Sequence, residues 1–239
     1  MDKVELAVYT AFKDAQKDMM IKNNSERIKT WHVSDFTSPC IRKSYYQRNF
    51  PAPYDPNKTS ILFHGLILHE HTKLSHFHEV TMCYDIKEDK AYTPQEVREL
   101  ENTDNIITGS LDDLMRINDE YVIVDKKTYN GYMGQYKKKE PDESYKLQLS
   151  IYRVLLDRGY GIDATRGCLL YLDKSSDFTE TPMAFDLAPI EGTKTYMADV
   201  LRQLKQGLPK ATVNWLCNGE NRKGKIFCPY KDRCDNDGI

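Results

Sequence analysis

The sequence predicts a single α/β domain with cysteine-bearing flanks. Three observations carry that reading. Residues 106–128 alternate with the period of strands, and the segments around them space their apolar residues as helices do. No Pro-, Gly- or Ser-rich linker cleanly divides the 239 residues. Apolar residues make up 40% and charged residues 29%, with mean hydropathy −0.66. Those values suit a water-soluble chain that buries a core, and they exclude wholesale disorder.

The elements follow in order. Residues 2–21 read as an amphipathic helix, with Val4, Leu6, Ala7, Phe12 and Met19 apolar among charges. Residues 34–48 read as a helix capped by Ser34 or Ser38, ending near Asn49 and a loop with Pro51, Pro53 and Pro56. Residues 59–78 have helical spacing and hold five of the six histidines. Segment 85–104 carries seven acids and three bases, net −4, and reads as a surface connection. Residues 106–117 and 121–128 read as strands joined by Asn118-Asp119-Glu120. After a Gly- and Lys-rich loop (129–141), residues 143–158 form a helix stopped by Gly159. Strands are expected at 166–172 and 181–187, then a helix at 190–206 stopped by Gly207 and Pro209.

Charge narrows the partners. Lys plus Arg total 34 and Asp plus Glu 36, so the net charge is −2 and a uniformly basic nucleic-acid coat is excluded. Residues 202–233 nevertheless hold eight bases and two acids, a local +6. The N-terminal 17 residues lack the apolar stretch of a signal peptide, and apolar runs are about five residues long against the roughly 20 that span a bilayer. A reducing cytoplasm is the expected compartment, where cysteine clusters more often bind metal than form disulfides.

The chemistry is densest in Gly109-Ser-Leu-Asp112-Asp113-Leu and Val122-Ile-Val-Asp125-Lys126-Lys127-Thr128. Two neighbouring strands each deliver an acid, and Asp125 and Lys127 share a face because strand side chains alternate. Phosphodiester hydrolysis calls for a metal that offsets charge and activates water. Mg²⁺ takes one or two carboxylates with waters and substrate phosphate. Asp112 and Asp125 are the candidate ligands, with the Lys126 backbone carbonyl as a further one, and Lys127 is the candidate for acting on the attacking water. Asp112 is preferred to Asp113 by its place three residues after Gly109. The bland alternative is a hairpin whose acids and lysines face solvent. His69 is a candidate ligand with Mn²⁺ in mind, or a structural histidine. His64, His71, His76 and His78 crowd the same stretch and leave a separate zinc site open. Gln148 and Tyr152, four apart on one helix face, are candidates to touch phosphate or metal-bound water.

Cys40 stands alone near the N-terminus, and Cys217, Cys228 and Cys234 lie near the C-terminus. Four thiolates suit an iron–sulfur cluster or a zinc ion that ties the two ends together. Cys83 and Cys168 remain over, Cys168 as a core residue in an apolar strand.

In order, His69, Gly109-x-x-Asp112, Asp125-x-Lys127 and Gln148-x-x-x-Tyr152 resemble the PD-(D/E)XK nuclease pattern of the RecB-like branch. The flanking cysteines, with Cys40-Ile-Arg-Lys-Ser-Tyr-Tyr and Cys228-Pro-Tyr-Lys-Asp-Arg-Cys234, resemble its iron–sulfur members, the CRISPR-associated RecB-like exonucleases and the AddB nuclease domain. The resemblance covers roughly residues 34–234. It implies a restriction-endonuclease-like mixed sheet flanked by helices, with a catalytic core at about 60–190. It also implies cluster-bearing flanks at 34–48 and 210–234, joined by a 4Fe-4S cluster on Cys40, Cys217, Cys228 and Cys234. It makes His69, Asp112 and Asp125 ligands of Mg²⁺ or Mn²⁺, Lys127 the catalytic lysine, and Gln148 and Tyr152 supporting residues. The implied activity is exonucleolytic cleavage of DNA, single-stranded or at ends, in CRISPR adaptation, recombination or repair. One departure is the ten residues between Cys217 and Cys228, where the family has about two. No helicase motor is expected within these 239 residues, since they hold no phosphate-binding Gly-Lys-Ser/Thr loop. A DNA-end-binding adaptor with little turnover and a zinc-stapled nuclease stand as alternatives.

Overall fold

The computed structural model describes residues 29–50, 72–129, 140–173, 180–212 and 228–238, with 6, 9–14, 17–18, 217 and 219. Among the described residues, strands β1 (Trp31–His32), β2 (Phe77–Asp85), β3 (Lys90–Tyr92), β4 (Ile106–Ile117), β5 (Glu120–Tyr129), β6 (Arg166–Asp173) and β7 (Glu180–Asp186) form one sheet. The order is β3-β2-β4-β5-β6-β7, and β1 pairs with β4 off this path. The sheet is mixed: β1 runs parallel to β4 and β5 parallel to β6, while the other pairs are antiparallel. Two long helices, α4 (Glu143–Tyr160) and α5 (Ile190–Lys205), cover one face. Short helices α1 (Val33–Phe36), α2 (Ile41–Asn49), α3 (Pro94–Glu99) and α6 (Lys231–Asn236) complete the fold.

Helix α4 starts where the Asp142 carboxylate accepts from the Ser144 N–H at 2.8 Å. It ends at Gly161, whose φ of 65° is the left-handed cap that glycine adopts without strain. Gly159, the expected stop, therefore lies inside the helix, two residues before the actual one. Leu149, Ile151, Val154, Leu155 and Leu156 are fully or almost fully buried. Burial of each such side chain stabilises the fold by about 1.5–3 kcal/mol. They pack with Ile107, Leu111 and Ile123 of the sheet and with Met197, Val200, Leu201 and Leu204 of α5.

Three expected elements are corrected. The single helix over 34–48 is two, α1 and α2, separated at Thr37–Cys40. Pro39 lacks an N–H and keeps Ser38 out of helical conformation. Helix 59–78 cannot extend to its expected end, because Phe77 opens strand β2 and residues 72–76 are not helical; residues 59–71 lie outside the described ones. The surface connection 85–104 contains β3 and α3, the latter capped by a reciprocal Thr93–Glu96 box. Of the expected N-terminal helix, residues 9–14 and 17–18 are helical, with Leu6, Tyr9 and Phe12 exposed.

The C-terminal segment docks onto α2. Arg42 is buried and donates to Pro209 O and Gly238 O, both at 2.6 Å. The Tyr46 hydroxyl donates to Asp237 at 2.7 Å, its ring packs on Tyr230, and Arg233 stacks over Phe50. The two ends thus meet through a guanidinium and aromatic rings.

Candidate active site

The site is built at a fork in the sheet. The β4–β5 ladder runs from Ile117↔Glu120 to Asp113↔Val124. Beyond it β5 continues along β6, and β1 takes up β4 at Ile107 and Thr108. Asp112 and Asp125 are the first residues past the last β4–β5 pair, and both are buried.

Strict alternation from Gly109 would put Asp113, not Asp112, on the α4 face. A shared slip in two strands reverses this. Val80 and Leu111 pair with one another and pack in the main core, and so do Phe77 and Leu114. Each strand therefore spends two residues, rather than one, crossing between these core positions. On β2 the crossing residue Glu79 has φ 51°, left-handed and uncommon for a non-glycine. The register is unchanged, but Asp112 turns to the α4 side and Asp113 to the other.

On the α4 side, Lys127 Nζ lies 2.7 Å from Asp125 Oδ2. Gln148 Nε2 donates to the Tyr152 hydroxyl at 3.0 Å and reaches Asp125 Oδ1 at 3.4 Å. Asp112 Oδ2 accepts from the Lys126 N–H at 2.7 Å. Burial disfavours the Lys127 ammonium, yet Asp125 and, more weakly, Asp112 hold its pKa above the ordinary lysine range. Burial, with the nearby carboxylates of Asp125, Asp112 and Glu79, pushes the Tyr152 hydroxyl well up, so it stays a neutral phenol. The structure thus gathers Asp112, Asp125, Lys127, Gln148 and Tyr152. His69 lies outside the described residues.

Behind the fork is a second charge set that was not anticipated as a unit. Lys126 Nζ pairs with Asp113 Oδ2 at 2.9 Å, both side chains being fully buried, and donates to Thr72 O at 2.5 Å. Asp113 Oδ1 accepts from the Leu74 and Ser75 N–H groups at 2.9 and 3.1 Å. His78 Nδ1 lies 3.4 Å from the same oxygen. The only hint in the sequence is the doubling Asp112-Asp113 and Lys126-Lys127, one member of each pair per face. His78 is thereby engaged with Asp113, and His76 sits in a bend. His64 and His71 lie outside the described residues.

Gly109 permits the whole arrangement. A Cβ there would lie 2.6 Å from Val33 Cγ2 and 2.7 Å from Tyr152 Cε1, closer than real contacts allow. Tyr145, another residue the sequence reading passed over, places its ring 4.9 Å from Lys127 Nζ. Its signal was the stripe 145, 148, 152 on α4.

Two buried carboxylates with oxygen donors only are the chemistry a hard divalent cation takes, the remaining positions being filled by water and substrate. Among the described residues no group of three or more His, Cys, Asp or Glu side chains is arranged to hold a metal ion. None of the six cysteines is in a disulfide. Burial pushes the Cys228 thiol up, and Cys217 and Cys40 are near enough to add to that. The Cys234 sulfur accepts from Arg42 at 3.6 Å. The four flanking cysteines therefore share one side of the molecule. A polar pocket of about 400 Å³ is lined by residues that include His32, Asp35, Ser38, Lys43 and Arg48, and neither Asp112 nor Asp125 lines it.

A family model described as the PD-(D/E)XK nuclease superfamily matches residues 43–235. The crystal structure of SSO0001 superposes with a TM-score of 0.63 at 20% identity, covering 96% of this chain and 97% of that one, which shows a shared fold. The alkaline exonuclease LHK-Exo of Laribacter hongkongensis aligns at a TM-score of 0.43 and 12% identity, over 77% of this chain and 92% of that one. No curated protein matches the chain. No helix among the described residues is long and apolar enough to cross a membrane.

Proposed function

The chain belongs to the PD-(D/E)XK nuclease superfamily, and from that premise we propose that it is a metal-dependent DNA exonuclease of the RecB-like iron–sulfur branch, acting on single strands or ends. The observation that carries this reading is the meeting of Asp112, Asp125, Lys127, Gln148 and Tyr152 at the strand fork.

Asp112 and Asp125, with His69 and the Lys126 carbonyl, would hold Mg²⁺ or Mn²⁺, which when bound supplies charge compensation at the phosphate and a more acidic water. Lys127, held as an ammonium beside Asp125, orients the attacking water and offsets charge growing on the phosphate oxygens. Gln148 uses its amide to fix Asp125 and Tyr152 together. Tyr152, as a neutral phenol, offers a proton donor to phosphate oxygen. The basic segment 202–233 supplies a sequence-independent attraction for the backbone of the strand.

Cys40, Cys217, Cys228 and Cys234 are the proposed 4Fe-4S ligands. Soft thiolate chemistry and the closeness of Cys228 to Cys40 and Cys217 support this. The cluster would staple the tail rather than transfer electrons.

The test is anaerobic purification followed by digestion of 5′- and 3′-labelled single- and double-stranded DNA with Mn²⁺. Metal-dependent release of nucleotides, lost in Asp125→Ala and Lys127→Ala folded as wild type, is the expected result. Tight binding without turnover would replace this reading with that of a DNA-end-binding adaptor. Zinc in a colourless protein, in place of iron and visible absorbance, would replace the cluster with a zinc staple.

A further inference from the structure

Lys127 is held from two sides. Asp125 Oδ2 takes one at 2.7 Å, and the face of the Tyr145 ring takes the other, 4.9 Å from Nζ to the centroid. That separation is within the range where an aromatic quadrupole attracts an ammonium. Lysine carries its charge on a flexible four-carbon stem. With Asp125 alone, Nζ is tethered at one point and free to swing about it; the ring removes that freedom.

The ring itself is well placed to do this. Tyr145 lies in the first turn of α4, where its N–H bonds to Asp142 O at 3.0 Å beside the Asp142–Ser144 cap. Tyr145, Gln148 and Tyr152 lie three and four residues apart, so one helix face lays all three over the fork. Across the sheet, Lys127 is in register with Tyr171 of β6, whose ring is buried and packs edge-on against Tyr129. Tyr145 is near enough to Tyr171 to act on its hydroxyl, which puts it on the β5–β6 side of Lys127.

We propose that Tyr145 is a positioning residue, whose ring face aims the Lys127 ammonium at the acid pair Asp112–Asp125. This rests on Lys127 being the lysine that acts on the attacking water. The contact is made by the ring, so the phenolic oxygen is dispensable for it.

The test compares full-length Tyr145→Phe, Tyr145→Leu and Tyr145→Met with wild type in Mn²⁺, with DNA affinity measured separately in the absence of divalent metal. The leucine and methionine variants should lose about tenfold in kcat, with KM and DNA affinity within twofold. The phenylalanine variant should keep wild-type kcat. Unchanged kcat in both aliphatic variants overturns the proposal. So does an effect confined to KM, which would make Tyr145 a strand contact. If one aliphatic variant fails to fold, the other decides. Full activity in Lys127→Ala itself would overturn the site reading instead, so the two failures are distinguishable.

Discussion

Gly109 and Tyr152 touch where no side chain fits between them: a Cβ at 109 would lie 2.7 Å from Cε1 of the ring. The glycine is needed for close approach and not for backbone freedom. Gly109→Ala should destabilise the domain by about 1–3 kcal/mol, the range for overpacking. It should also displace Tyr152 from Gln148 and lower turnover. Urea unfolding read beside single-turnover cleavage checks both; an alanine variant of wild-type stability would refute the packing.

Lys126 is the member of its lysine pair whose role is structural. Lys126→Met removes a fully buried partner from Asp113. Breaking such a pair from one side costs about 3–5 kcal/mol, since the remaining charge is stranded. Chemical denaturation should show a loss of that order. Lys127→Met should cost much less stability and much more activity, because Lys127 is partly exposed (21%) at the fork. Similar stabilities for the two variants would contradict the division of labour.

The docked tail should release in alkali. Burial, the hydrogen bond to Asp237 and the Asp237 charge push the Tyr46 hydroxyl up to about 12. A folded pKa raised above the ordinary value of 10 means that its contribution is complete below pH 10. It is lost as pH rises from 10 towards 12. Limited proteolysis of the tail across that window should show increasing cleavage. Tyr46→Phe, which has no such titration, should flatten the dependence, and an equal pH response in both proteins would exclude Tyr46 as its source.

Cys234 faces Arg42 in the same docked tail. Cys234→Ala should lower the melting temperature and weaken DNA binding before it changes cleavage at saturating DNA. A variant melting as wild type, with its full iron content, would remove Cys234 from the proposed ligands.

Much of this site was readable in one dimension because its parts are local. Asp125 and Lys127 share a face by strand alternation alone, and Gln148 and Tyr152 by the helical repeat. The helix over 143–158 was equally plain, and its stripe of Leu147, Ile151, Val154 and Leu155 packs in or against the core. What was hidden depends on contacts between distant segments. Strand β2 escaped notice because its alternation breaks at Glu79, so Phe77 to Asp85 carries no clean period. The choice of Asp112 over Asp113 was legible in the Gly109-x-x-Asp112 spacing, although the break that turns Asp112 to the α4 side was not. The meeting of the ends was expected through the cysteines, but the Arg42 clasp was hidden because it bonds to two backbone carbonyls, and a carbonyl has no letter in the sequence.

Arg42 also sets an order of events in folding. Its bonds to Pro209 and Gly238 close loops of 167 and 196 residues. Loop closure of that length costs entropy before any contact returns it. The sheet, whose β4–β5 and β6–β7 hairpins close locally, is free to assemble first, and the clasp at Arg42 belongs to the last stage. During synthesis, helix α2 waits with an unfilled guanidinium until Gly238 has emerged. Any fusion or truncation that delays the final helix leaves the fold assembled but unlatched.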